Sequence, residues 1–224
     1  GFANENGKTY IEWLFKRATG FMDVVAYTGD GTTPRNITHN LGVVPEFIVT
    51  KRRDVGGSWA VYNPDLGITS SSGIRLNTDD GSGYSQLTRY PSTPTSTVFT
   101  VGNDSDVNSN GNTFVSYLFA TVAGVSKVGS YTGTAATLNV DCGFTAGARF
   151  ILIKRTDSAG DWYTWDSVRG ISAGNDPYLL LNDEAVEVTG TDYVDPLNAG
   201  FTVTSNASST VNVNGGTYIF LAIA

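Results

Sequence analysis

The chain has 224 residues, room for one large domain or two small ones, and its 14 Lys+Arg against 21 Asp+Glu leave a net charge of −7. That balance excludes the basic footprint that nucleic acid or an anionic membrane surface requires. A hydrophobic fraction of 40%, with 11 Phe, 11 Tyr and 4 Trp, excludes a disordered chain. One cysteine, Cys142, rules out an internal disulfide, and the single histidine, His39, removes most zinc sites and His-based catalytic sets. No apolar stretch approaches the ~18 residues of a membrane span, and nothing resembles a signal peptide. With Gly1 first and Met22 as the only methionine, the sequence reads as a fragment or a processed product.

In chain order, the first feature is Asn6-Gly7-Lys8-Thr9-Tyr10. It returns as Asn110-Gly111-Asn112-Thr113-Phe114 and as Asn214-Gly215-Gly216-Thr217-Tyr218, with 104 residues between successive copies. Asn-Gly favours the positive φ of a two-residue hairpin turn. Segments rich in Val, Ile, Phe and Tyr follow: Asp23–Gly29, Glu46–Asp54, Ser58–Asn63, Gly73–Asn77, Val98–Val101 and Thr113–Val122. Gly-Gly, Asp-Asp-Gly and Ser-Gly punctuate them, and no segment keeps a helical apolar period.

The same series then repeats. Tyr27-Thr28-Gly29 recurs as Tyr131-Thr132-Gly133 at a spacing of 104, and EFIVTKRRD at Glu46–Asp54 as RFILIKRTD at Arg149–Asp157 at 103. Trp59 matches Trp162 at 103, and Phe99-Thr100-Val101 matches Phe201-Thr202-Val203 at 102. A unit this long exceeds a solenoid repeat, so each copy is expected to be a small domain with its own core. The expected fold is all-β: two tandem antiparallel β-sandwich, jelly-roll-like domains, residues 21–123 and 124–224. Residues 1–20 are expected to be the terminal strand of a preceding truncated repeat, or a linking strand. Phe114, Ser116 and Leu118 alternate with Val115, Tyr117 and Phe119, so this strand should be central and covered on both faces.

Several residues invite chemistry and receive a plainer reading. Lys51-Arg52-Arg53-Asp54 and Lys154-Arg155-Thr156-Asp157 could hold an anion, but a strand end entering a turn explains both copies. Trp59 and Trp162 could stack on sugars, but a tryptophan kept in both copies reads as core. Tyr62 and Trp165, on the opposite strand face, are secondary candidates, since one of the two faces should be less buried. His39 reads as a satisfied loop residue and Cys142 as a small buried hydrophobe. The Asp-rich stretches 77–81 and 103–106 match no twelve-residue Ca²⁺ loop. No spacing singles out a carboxylate pair among Asp161, Asp166, Asp176, Asp183, Glu184 and Glu187, so a polysaccharide hydrolase is not favoured. No cofactor is expected.

The segments YIEWLFKRATGF, YTGDGTTPRNITHNLGVVPEFIVTKRRD, FTVGNDSDVNSNGNTFVSYLFA, GVSKVGSYTG and CGFTAGARFILIKRTDSAGDWYTWDSVRG together resemble the tandem C-terminal modules of tailed-bacteriophage tail-fibre and related virion appendage proteins. The resemblance implies a non-enzymatic virion protein at the distal part of a fibre, exposed to the medium, commonly a homotrimer, contacting a bacterial surface glycan or protein. It supplies no catalytic residues. A purely architectural shaft or spacer is the alternative.

Positions where the copies diverge are free to specialise, and binding residues concentrate in loops on rigid scaffolds. The divergent segments are Thr78–Thr97 and Asp183–Ala199. They single out Tyr84, Arg89 and Tyr90 in the first, and Asp192 and Tyr193 in the second, as ligand-binding candidates, because tyrosines in Ser/Gly-rich loops make adaptable contacts.

Overall fold

The computed structural model describes residues 5–224. The chain is nearly all β, and its sheets are antiparallel throughout. The first half contains β1 (Met22–Thr28), β2 (Arg35–Thr38), β3 (Phe47–Arg52), β4 (Trp59–Tyr62), β5 (Ile74–Arg75), β6 (Val98–Val101) and β7 (Thr113–Phe119). The second contains β8 (Ser126–Thr132), β9 (Leu138–Asp141), β10 (Phe150–Arg155), β11 (Trp162–Asp166), β12 (Leu179–Leu180), β13 (Val194–Leu197), β14 (Gly200–Val203) and β15 (Thr217–Ile223). Two four-residue helical turns, α1 (Gln86–Arg89) and α2 (Ser105–Asn108), lie in the first half.

One five-stranded sheet has the order β1-β7-β3-β4-β5, and the other has β8-β15-β10-β11-β12. Each is backed by a smaller sheet, β2-β6 and β9-β14-β13 respectively. The strand order of the first half therefore recurs in the second. β7 does lie between β1 and β3, with Phe114 and Leu118 buried on one face and Phe119 on the other. β2 and β9 escaped the sequence reading because Arg35-Asn36-Ile37-Thr38 and Leu138-Asn139-Val140-Asp141 are half polar, each burying only alternate residues.

The repeated motifs have local causes. Gly111 and Gly215 both take φ 76°, the left-handed region that Asn-Gly favours. Neither turn is a hairpin, because β6 and β7 lie in different sheets; instead Gly111 N donates to Gly29 O at 2.9 Å and Gly215 N to Gly133 O at 2.9 Å. Tyr-Thr-Gly ends in glycine because that crossing is tight. A Cβ on Gly29 would stand 2.2 Å from Ser109 O, and one on Gly133 would stand 2.3 Å from Val213 O.

Three apolar clusters hold the layers. One, with Ile37, Phe99, Ile48, Tyr62 and Leu118, joins β2-β6 to the first large sheet. Another, with Val140, Phe201, Ile151, Trp165 and Phe220, joins the small sheet of the second half to its large sheet. The third joins the two large sheets to each other: Phe47, Val49, Val61 and Phe119 pack with Phe150, Leu152, Trp162 and Leu221. The sequence anticipated a separate core for each copy; half of that is corrected, since the two copies also share a core.

Trp162 crosses this shared layer. Its ring meets Phe47 edge-on at 6.2 Å and its Nε1 donates to Arg75 O at 2.8 Å. The expectation that one face of β4 and β11 would be less buried holds only in part, since Trp59 and Tyr163 are half-buried. Trp162 and Trp165 are both buried, as is Tyr62, because each strand has a layer on either side.

The segment before β1 departs from expectation. Residues 5–17 belong to no sheet, and Ala18 forms only an isolated bridge to Met22. Residues 1–4 of that expected strand lie outside the described part.

Candidate functional site: a tyrosine face on the second half

The first divergent loop does not present the three residues expected of it. Arg89 is 1% exposed and Tyr90 0%. Ser85 caps α1 by accepting from Thr88 N, and the turn carries Arg89 inward, where its guanidinium meets Asp106 at 2.8 Å and Asp104 at 3.5 Å. Arg75 meets Asp106 from the other side at 3.1 Å. Tyr84 lies across both guanidinium groups, 3.8 Å from Arg75 and 4.9 Å from Arg89, and donates its hydroxyl to Asp80 at 2.5 Å. Tyr90 donates to Thr50 Oγ1 at 2.8 Å inside the core. Arg89 and Tyr90 are thus corrected from binding candidates to structural residues. The loop needed a buried lid for its half of the sandwich, and their side chains supply it.

The start of the same loop seals onto the second half. Ser82 N donates to Thr156 O at 2.9 Å, Gly160 N to Asp79 O at 2.8 Å, and the fully buried Lys154 to Asp79 O at 3.0 Å and to Gly160 O. Burial lowers the Lys154 pKa to about 8 against the pull of Asp79, Asp161 and Asp80. The structural reading of the two Lys/Arg motifs agrees with this. Lys51 donates to Gly57 O at 3.0 Å, and Asp54 and Asp157 accept from Thr113 N and Thr217 N, each at 2.9 Å. His39 is buried with Nε2 on Thr95 O at 3.1 Å and Nδ1 accepting from Leu41 N at 3.2 Å. Cys142 is buried, and burial pushes its thiol pKa to about 12.

The second divergent loop behaves differently. Trp165 stacks on Tyr163 at 5.8 Å and 15°, Tyr163 meets Tyr178 at 5.1 Å, and Tyr178 stacks on Tyr193 at 5.7 Å and 19°. Trp165 is fully buried, whereas Tyr163, Tyr178 and Tyr193 are each half-buried. The sequence reading reached Tyr193 and held Trp165 as secondary, but missed Tyr163 and Tyr178. A signal was present: Tyr163 stands where the first copy has Ala60. Among the described residues no α1-like turn covers this side, so the ring edges that Tyr90 fills in the first half remain partly open in the second.

Hydrogen bonds hold the tyrosine backbones in place. Tyr178 N and Val188 N exchange bonds with each other's carbonyls at 3.0 and 3.1 Å, and Thr204 N donates to Tyr193 O at 2.9 Å. Asp192 accepts from Asn206 Nδ2 at 2.7 Å and from Gly174 N at 3.2 Å. Asp176 accepts from Tyr193 N at 2.8 Å and Val194 N at 3.1 Å, and it is fully buried. Rigid aromatic faces beside carboxylate acceptors can take the C–H face and the hydroxyls of a sugar.

Asp176 also provides a pH test. Burial raises its pKa from 3.8 to about 7, outweighing the two backbone donors and helped by the neighbouring Asp192. Folded chains therefore hold a proton that unfolded chains release, and stability falls as pH rises from about 4 to 7. Asp176→Asn should remove that decline, worth roughly 1–4 kcal/mol, in urea midpoints measured from pH 4 to 8. An unchanged slope in the variant would locate the titration elsewhere. Asp54 and Asp157 act in the opposite direction and lower down. Their backbone and side-chain donors hold both near pKa 2, so their contribution is lost only as pH falls below 3.8.

Among the described residues no group of three or more His, Cys, Asp or Glu side chains is placed to hold a metal ion, and no helix is long and apolar enough to cross a membrane. One family model matches the chain, over residues 1–224, and its description is a domain of unknown function (DUF7483). No curated protein and no solved structure matches.

Proposed function

We propose that this chain, which belongs to the DUF7483 family of unknown function, is a non-enzymatic attachment segment of a tailed-phage fibre that binds a bacterial surface glycan. The resemblance of its strand-and-turn segments to tail-fibre modules supplies the setting, outside the cell on the virion. The observation that carries the glycan reading is the half-exposed row of Tyr163, Tyr178 and Tyr193 beside Asp192. The reading places the ligand on the second half and assigns Tyr84, Arg89 and Tyr90 no contact with it.

Labelled chain should bind a subset of bacterial strains saturably and lose that binding when surface polysaccharide is stripped. Tyr178→Ala and Tyr193→Ala should each weaken binding about fivefold to tenfold, since an aromatic contact contributes about 1 kcal/mol. Full binding by the double variant would remove the site. The spacer reading draws on a different observation, the closure of the first divergent loop onto the second half. It gains if the folded chain binds no strain at all.

A further inference from the structure

The segment before β1 stands in repeat register with two central strands and has none of their sheet pairing. Tyr10-Ile11-Glu12-Trp13-Leu14-Phe15 stands 104 residues before Phe114–Phe119 of β7 and 208 before Tyr218–Ile223 of β15. β7 and β15 are each hydrogen-bonded on both sides. Residues 11–17, by contrast, enter no backbone–backbone hydrogen bond among the described residues.

Its two faces differ. Trp13 meets Phe150 at 5.7 Å, and Phe15 meets Phe119 at 5.7 Å and Phe150 at 5.5 Å. Trp13 Nε1 donates to Asp166 at 3.2 Å. These residues roof an apolar cleft of about 640 Å³ between the two large sheets, lined also by Trp59, Tyr117, Leu181 and Leu221. The other face points outward: Leu14 is 87% exposed, with Glu12 and Lys16 exposed on either side. In β7 the residue matching Leu14 is Leu118, which is fully buried.

The charges decide what covers this face. Glu12 stands where β7 has the buried Ser116 and β15 the buried Phe220, and Lys16 stands where the buried Ala120 follows β7. Unpaired charges at those places would be costly inside a sandwich, so the segment is unsuited to the centre of another sheet of this kind. It suits an antiparallel pairing with itself. If Leu14 faces Leu14 of a second copy, Glu12 faces Lys16 and Lys16 faces Glu12, while Trp13 faces Phe15. Residues 12, 14 and 16 all share one face of the pair. Opposite charges placed directly across an antiparallel pair stabilise it and like charges destabilise it.

We propose that residues 11–17 form a dimerisation strand, pairing antiparallel with the same segment of a second copy about a two-fold axis at Leu14. The pairing satisfies backbone groups of residues 11–17 left open in the single chain, sets the two Leu14 side chains against each other, and builds two ion pairs from the two positions where the segment departs from its buried counterparts. It does not depend on the glycan reading, and it sets a two-fold dimer in place of the homotrimer that the fibre resemblance implies.

Light scattering of the full chain should give twice its 23.8 kDa mass. Glu12→Lys and Lys16→Glu should each raise the dissociation constant at least ~10-fold, because each variant sets like charges opposite one another, and the double exchange should restore the dimer. Leu14→Cys should form a disulfide-linked dimer under mild oxidation, since facing Cβ atoms lie ~4.5–5.5 Å apart and Cys142 is buried. All three substituted positions carry exposed side chains, so a folding defect is not the expected cause of any loss. A monomeric wild-type chain, a mass of three chains, or a double exchange that stays monomeric would each overturn the pairing.

Discussion

Trp162→Ala is expected to cost about 3–5 kcal/mol and to lower one unfolding transition of the entire chain. The residue is 1% exposed, and its ring packs on Phe47 of the other large sheet. Its Nε1 bond to Arg75 O ties the halves together, and truncation leaves that carbonyl without this donor as well as opening a cavity. Because the shared cluster takes residues from both halves, the loss cannot be confined to the second. Urea unfolding followed by tryptophan fluorescence and by far-UV circular dichroism checks this. Two separable transitions, with only the later-sequence half shifted, would mean that the layers fold independently.

Arg89→Ala is expected to destabilise by a similar amount, about 3–5 kcal/mol, because it removes one member of a buried ionic group. Asp106 would keep its pair with Arg75, Asp104 would lose its pair with Arg89, Ile74 O would lose a donor at 3.3 Å, and Tyr84 would lose one of its two supports. The same substitution separates two roles for this residue. A ligand contact would weaken attachment at constant stability; the buried network predicts loss of stability, with binding unchanged in the fraction that remains folded. A variant with wild-type urea midpoints would refute the structural role.

Much of the framework was legible in the residues. Runs rich in Val, Ile, Phe and Tyr bounded by Gly and Asp-Gly marked β1, β3, β4, β5, β6 and β7, and the repeat spacing of about 104 residues anticipated that the second half would use the same strand order. His39, Cys142 and the paired Lys/Arg motifs were also readable, because short-range turn chemistry and the need to satisfy buried polar groups act over a few residues. The tyrosine face was half visible. Asp192 and Tyr193 lay in a divergent loop, but Tyr178 joins them only through the bridge to Val188, and Tyr163 only through the alternation of β11.

By itself, then, the sequence determined most of the strands, their two-faced alternation and the duplication, since each follows from local propensity and periodicity. Only the tertiary structure decided what lies across each face. A strand pattern states that a side chain points away from its neighbours in the chain; it carries no information on whether water, the other half or a loop is opposite. That is why Trp165 and Tyr62 are both buried where one exposed face was expected. It is why Arg89 and Tyr90 turned inward, and why a segment with the sequence of β7 lies over a cleft without a strand beside it. Burial is a property of pairs of surfaces, and the second surface in each case comes from residues far away in the chain.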